Sequence, residues 1–151
     1  MKKKSSQTIK GEPHYAGFWI RLAASLIDTI LLTAIILPLL ITFYGKAYFS
    51  SDKFIQGPAD FLLTWIFPIL AIMAFWFAKS ATPGKILFRL LIVDAKTLQK
   101  PSTKQFIIRY LGYYVSALPF CLGFIWIGFD KHKQGWHDKL ASTFVIHEKQ
   151  L

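Results

Sequence analysis

The sequence predicts an all-α integral membrane protein: two full transmembrane helices, a third membrane segment that either re-enters or crosses, and a small cytoplasmic pairing of two strands. Three observations predict it. Hydrophobic residues make up 54% of the 151 residues, aromatics make up 17%, and mean hydropathy is +0.40, above the balance of ordinary soluble domains. Uncharged runs of 16, 18 and 20 residues cover Thr29 to Tyr44, Phe61 to Ala78, and Tyr110 to Phe129, near the roughly 20 residues that a helix rising about 1.5 Å per residue needs to cross hydrocarbon. None of the runs carries the polar face at a 3.6-residue period that a soluble core helix shows.

The first segment, residues 17–44, joins the run from Thr29 to the preceding GFWIRLAASLID, so that one helix carries Arg21 and Asp28. Seven residues apart, the two lie on one face about 10 Å apart along the axis, too far for a direct pair. An unpaired charge at mid-membrane costs about 2.5–3.5 kcal/mol or more, so partners must come from elsewhere in the chain. Gly17 and Ala24 share that stripe, and small residues there let another helix approach. Arg21 reaches the boundary, whereas the short side chain of Asp28 cannot.

The second segment, residues 61–78, and the third, residues 105–129, follow. Pro38, Pro68 and Pro119 fall within the three runs, where proline ordinarily marks a kink. Trp19, Trp65, Trp76, Trp126, Tyr15 and Tyr44 lie near the run ends and read as interfacial aromatics. Two short stretches, RLLIVD at 89–94 and STFVIH at 142–147, have strand composition and are too brief for helices. Pairing would satisfy their backbones, and it requires both on one side of the membrane. The third run would then dip in and return as a hairpin broken around Val115 to Pro119, with Gly112 and Gly123 easing the backbone. Ser102 and Gln105 form a capping-box start for its first helix.

Charge orients the chain. Lys and Arg number 18 against 8 Asp and Glu, a formal net of +10. Four lie before Tyr15, two between Gly45 and Asp60, six between Lys79 and Lys104, and four after Phe129. The bias of basic residues toward the cytoplasm predicts a basic cytoplasmic tail over 1–14, a membrane domain over 15–147 and a C-terminal tail over 148–151, with both termini inside. The lysines sit in links between apolar blocks, which fits anionic lipid head groups and argues against nucleic acid. Met1-Lys2-Lys3-Lys4 resembles the start of a signal peptide, but no Ala-x-Ala-type cleavage site follows, so an uncleaved first helix is expected.

Candidate chemistry is sparse. Cys121 is the single cysteine, which excludes a disulfide framework and a cysteine metal centre. His137-Asp138 resembles a metal-hydrolase dipeptide, yet His132 lies five residues away, off the i, i+4 face of a zinc helix. No nucleophile triad is legible, so no enzyme, cofactor or metal is expected. Thr82-Pro83-Gly84-Lys85 reads as an interfacial turn whose Lys85 faces lipid phosphate. Asp138 can answer Arg21, and Arg109 can reach a carboxylate across the bundle. Asp130 and His137 are auxiliaries.

In the order YAGFWIR through Asp28, then ATPGK with LIVD, then KQGWHDKLAST, the chain resembles the RDD family of small bacterial membrane proteins over about Tyr15 to His147. The resemblance implies that Arg21 is the family arginine, Asp28 its intramembrane aspartate and Asp138 the second aspartate. It implies transport of unidentified ligands, with sodium–proton exchange among similar proteins. Ser142 stands where family members often carry glycine, which would shift the tail strand. The combined expectation is a homo-oligomer of the bacterial inner membrane that moves monovalent cations or protons, with Asp28 binding the ion, Arg21 and Asp138 setting its charge balance and Arg109 assisting. The alternative is a scaffold whose buried charges hold the fold.

Overall fold

The computed structural model describes residues 13–148. The predicted basic tail therefore falls outside the described residues up to position 12, as do positions 149–151 of the C-terminal tail.

Helix α1 (Phe18–Tyr44) runs 27 residues, about 40 Å at the usual rise, and a 3₁₀ turn (Gly45–Ser50) extends it. Gly45 ends it at φ 63, a left-handed position that glycine takes without a Cβ clash. Pro38 removes one helical donor, and Thr42 Oγ1 donates to the Pro38 carbonyl at 2.8 Å. The second span is built in pieces: α2 (Pro58–Phe61), a π turn (Leu62–Ile66) and α3 (Phe67–Lys79). The π turn stands just before Pro68. A wider i to i+5 turn accommodates both the missing proline N–H and the pressure of its ring on the preceding turn. Within each span's most apolar window only 6% of residues are buried by protein. Helices apolar all round and uncovered by protein need hydrocarbon around them, so this is a membrane protein.

Packing concentrates at one end of the spans. There α4 (Pro83–Leu87) leads into β1 (Leu90–Asp94), which pairs antiparallel with β2 (Thr143–His147), Leu90 opposite His147 and Asp94 opposite Thr143. Tyr15 bridges Ile146 on the far edge of β2, and the Ala16 amide donates to Val145 O at 2.8 Å. The sheet thus gathers the entry to α1, the exit of the second span and the end of the domain. Ala16, Trp76, Leu90, Ile92, Phe106 and Val145 make the buried core. Each strand is one residue shorter than predicted, because Arg89 and Ser142 are left-handed, at φ 54 and 51. Ser142 caps α7 (Trp136–Ala141) there, a position glycine suits better. With serine there, the left-handed backbone costs about 1 kcal/mol.

Helices α5 (Thr103–Ala117) and α6 (Leu122–Phe129) are bent by 100° at their junction. Ser102 and Gln105 cap α5 reciprocally. The break lies at Leu118–Cys121, overlapping the end of the expected stretch, and Phe120 and Cys121 are both left-handed there, at φ 50 and 60. Gly112 and Gly123 do not ease this break. A Cβ on Gly112 would stand 2.8 Å from His137 Cα, and one on Gly123 2.6 Å from Ser116 Cα; both glycines admit neighbouring backbone. Trp76 is likewise no interfacial aromatic. It is fully buried against Phe106, Tyr110 and Tyr113, because its face of α3 meets α5 and the sheet.

Candidate functional site

Arg21 sits one turn into α1, where the chain leaves the sheet. Its Nη1 donates to Asp138 Oδ2 at 2.5 Å, Nε to Ala16 O at 3.0 Å and Nη2 to Lys133 O at 2.7 Å. Arg109, one face of α5 inward, donates through Nη1 to the other Asp138 oxygen and to Thr143 Oγ1 at 2.7 Å. Asp138 also accepts from the Gly135 amide at 3.0 Å, capping its own helix. One fully buried carboxylate thus holds two guanidiniums, and it ties α1, α5 and α7 together. Burial alone would raise its pKa; the charges of Arg109 and Arg21 prevail and hold it well below the usual carboxylate range.

His137 lies beside this cluster, its Nε2 3.5 Å from Asp138 Oδ2. Its Nδ1 is 3.2 Å from Ser116 Oγ, and its amide donates to the same oxygen at 3.1 Å. The ring packs edge-on to Tyr113 at 4.6 Å. Desolvation lowers its pKa from 6.5 to about 3, against the pull of Asp138 and with the repulsion of Arg109 and Arg21. The imidazole is neutral at physiological pH.

Asp28 is half-buried one stripe further along α1. Its carboxylate accepts from Thr82 Oγ1 at 2.5 Å and from the Gly84 amide at 2.7 Å. Thr82, Pro83 and Gly84 are the first residues of α4 and its cap, so a side chain from α1 supplies what a capping residue normally does. The fit requires Gly84: a Cβ there would lie 2.0 Å from Ala24 O. Thus Ala24 of the small-residue stripe is the contact point, whereas Gly17 has nothing within 4 Å of a built Cβ. The predicted interfacial turn at Pro83, Gly84 and Lys85 is instead a short helix pressed on α1. That packing buries Lys85 to 5% exposure and removes it from the lipid phosphate it was expected to face.

Two cavities adjoin Asp28. The larger, about 590 Å³, lies among α1, α3, α4, α5 and α6, and its wall includes Arg21, Asp28, Trp76, Lys85, Arg109 and His137. The smaller, about 220 Å³, lies between α1 and α3 and has an apolar wall save for Asp28 and Thr82. Asp28 and Thr82 belong to both.

The structure brings Arg21, Arg109, His137 and Asp138 into one cluster, with Asp28, Gly84 and Lys85 beside it around the larger cavity. Asp130 stands apart. It ends α6, pairs with Lys139 at 2.5 Å and accepts from the His132 and Gln134 amides, so it shapes the following turn. Among the described residues no three metal-ligating side chains come together. Sequence reasoning missed Ser116, Tyr113 and Asp60, and it read Thr82 only as part of a turn. Asp60 is buried near the far end of the spans, where it accepts from Tyr48 Oη, Thr64 Oγ1 and the Gln56 amide. A carboxylate two residues after Pro58 was the available signal for it.

These features define a polytopic helical membrane protein: two long apolar helices, a small antiparallel sheet, and a buried arginine–aspartate–arginine cluster beside an intramembrane aspartate. The chain belongs to the RDD family, whose model matches residues 15–142. It is 42% identical over 74 residues to the uncharacterized protein RP437 of Rickettsia prowazekii, spanning 49% of this chain and 40% of that one. It is 30% identical to the uncharacterized membrane protein YteJ of Bacillus subtilis, over 89% of this chain and 82% of YteJ. The uncharacterized protein YxaI of Bacillus subtilis is 29% identical, over 88% of this chain and 97% of YxaI. No solved structure matches.

Proposed function

We propose that the protein is a transport protein, not an enzyme, of the bacterial inner membrane, exchanging protons or monovalent cations past Asp28. The observation that carries this reading is that Asp28 is the one carboxylate in the walls of both cavities. A species passing between them must displace the Thr82 hydroxyl from its oxygen, and a carboxylate so released binds either a proton or a small cation. Two spans and a bent hairpin are few for a sealed path, so a symmetric oligomer would complete it. The pairing of β1 with β2 supports a hairpin that re-enters and leaves both tails in the cytoplasm, with the basic links on anionic lipid head groups.

The test is flux in proteoliposomes. Wild type should show cation-driven proton movement, and Asp28→Asn should reduce it at least tenfold while inserting and eluting as wild type does. Equal flux in the two ends the assignment of Asp28. A second reading, a scaffold or assembly partner, is favoured by the closed bonding of Asp138, whose oxygens are occupied by Arg21, Arg109 and Gly135. It expects no flux in wild type and a lower folded yield from Asp28→Asn.

A further inference from the structure

The wall of the larger cavity presents donors that the protein does not match with acceptors. Lys85 is 5% exposed, and its Nζ makes no hydrogen bond or ion pair among the described residues. Trp76 Nε1 and Arg109 Nε are fully buried and have no partner either. All three residues line this one cavity, and each of these groups can donate and cannot accept. Buried donors are ordinarily satisfied; of these three, Lys85 Nζ is the one not sealed off by protein, and it points to a ligand with an acidic, oxygen-bearing head group.

Charge points the same way. Arg21, Lys85 and Arg109 line the cavity with one carboxylate, Asp28, held by Thr82 and Gly84, while Asp138, held by both arginines, lies behind the wall. The excess is one positive charge in a setting that is otherwise apolar, with Leu22, Leu32 and Ile72 in the wall. Its mouth is marked by exposed Leu22, Tyr114 and Ile125, a surface that meets lipid. The volume of about 590 Å³ falls within the roughly 300–1,000 Å³ of small-molecule sites.

We infer that this cavity binds an amphipathic anion, whose acidic head group pairs with Lys85 and whose hydrocarbon chain runs out between α1 and the α5–α6 hairpin. Such an anion neutralises the excess charge that a cation crossing past Asp28 would otherwise meet. The inference stands independently of flux, because occupancy is read without any ion gradient.

The experiment is equilibrium binding to the purified full-length chain in a nonionic detergent, with three probes: laurate, phosphatidylglycerol and uncharged dodecanol. Saturable binding of an acidic probe is expected, at least tenfold tighter than dodecanol. Laurate alone binding identifies a free acid as the occupant; phosphatidylglycerol alone binding identifies a membrane lipid. Lys85→Met should weaken that binding at least tenfold without lowering thermal stability, since it replaces an unpartnered buried cation by an apolar chain of similar length. Lys85→Arg should retain it and serves as the readout if the methionine variant fails to fold. Acidic probes binding no better than dodecanol would overturn the inference. So would Lys85→Met binding like wild type, or Lys85→Arg folding but losing the acid.

Discussion

Asp138→Asn tests the central cluster. The carboxylate is fully buried and answers Arg21 and Arg109 at once, with the Gly135 amide as a third donor. Removing one partner of a buried ion pair costs about 3–5 kcal/mol, chiefly because the remaining charge is left without compensation. Here two guanidiniums are stranded together, so the expected loss is about 5 kcal/mol. Arg109→Met leaves Arg21 and Asp138 as a one-to-one pair and removes a buried cation with an orphan Nε, so its loss should be smaller, about 1–3 kcal/mol. Part of that is lost packing, for the guanidinium stacks 5.6 Å from the Trp76 ring. Combining the two substitutions should cost less than their sum, since the double variant strands only Arg21. Reversible unfolding in mixed micelles, followed by tryptophan fluorescence, gives the free energies. An Asp138→Asn loss below about 1 kcal/mol, or below that of Arg109→Met, would refute the reasoning.

Gly84→Ala should cost about 1–3 kcal/mol through overpacking against the α1 backbone, whereas Gly128→Ala, with nothing within 4 Å, should be neutral or stabilising by up to about 1 kcal/mol; equal effects in the same unfolding assay would show that α4 does not need close approach. His137 makes stability pH-dependent. Its folded pKa of about 3 lies below the ordinary 6.5, so the unfolded chain binds the extra proton between those values. Its contribution is therefore complete above pH 6.5 and is lost as pH falls toward 3, by up to about 1.4 kcal/mol per unit. His137→Gln should flatten that slope in unfolding midpoints measured from pH 7.5 to 5, and an unchanged slope would assign it elsewhere.

The spans and the strand pair were legible because hydrocarbon and sheet pairing each impose a pattern on consecutive residues. The partner of Asp28 was not. Thr82 and Gly84 lie 54 and 56 positions away, in a segment whose Pro-Gly composition reads as a turn. Trp76 and Lys85 were misplaced for a related reason. Helices apolar on every side carry no polar face to tell protein from lipid, so only the fold reveals that the Trp76 face meets α5. Asp138 was readable as a partner of Arg21, but nothing in spacing signals that Arg109 shares it.

The bond between Arg21 and Asp138 spans 117 positions, with a consequence for how the protein is made. At about 5–20 residues per second, Arg21 is synthesised roughly 6–23 s before its carboxylate. The first span must enter the bilayer with that guanidinium still drawing on water or lipid phosphate at the boundary. Only when Asp138 arrives and β2 closes on Tyr15 and Ala16 does the charge become internal. The segment that carries Asp138 therefore acts as the latch for the first span, and a chain interrupted before Asp138 leaves Arg21 without its carboxylate.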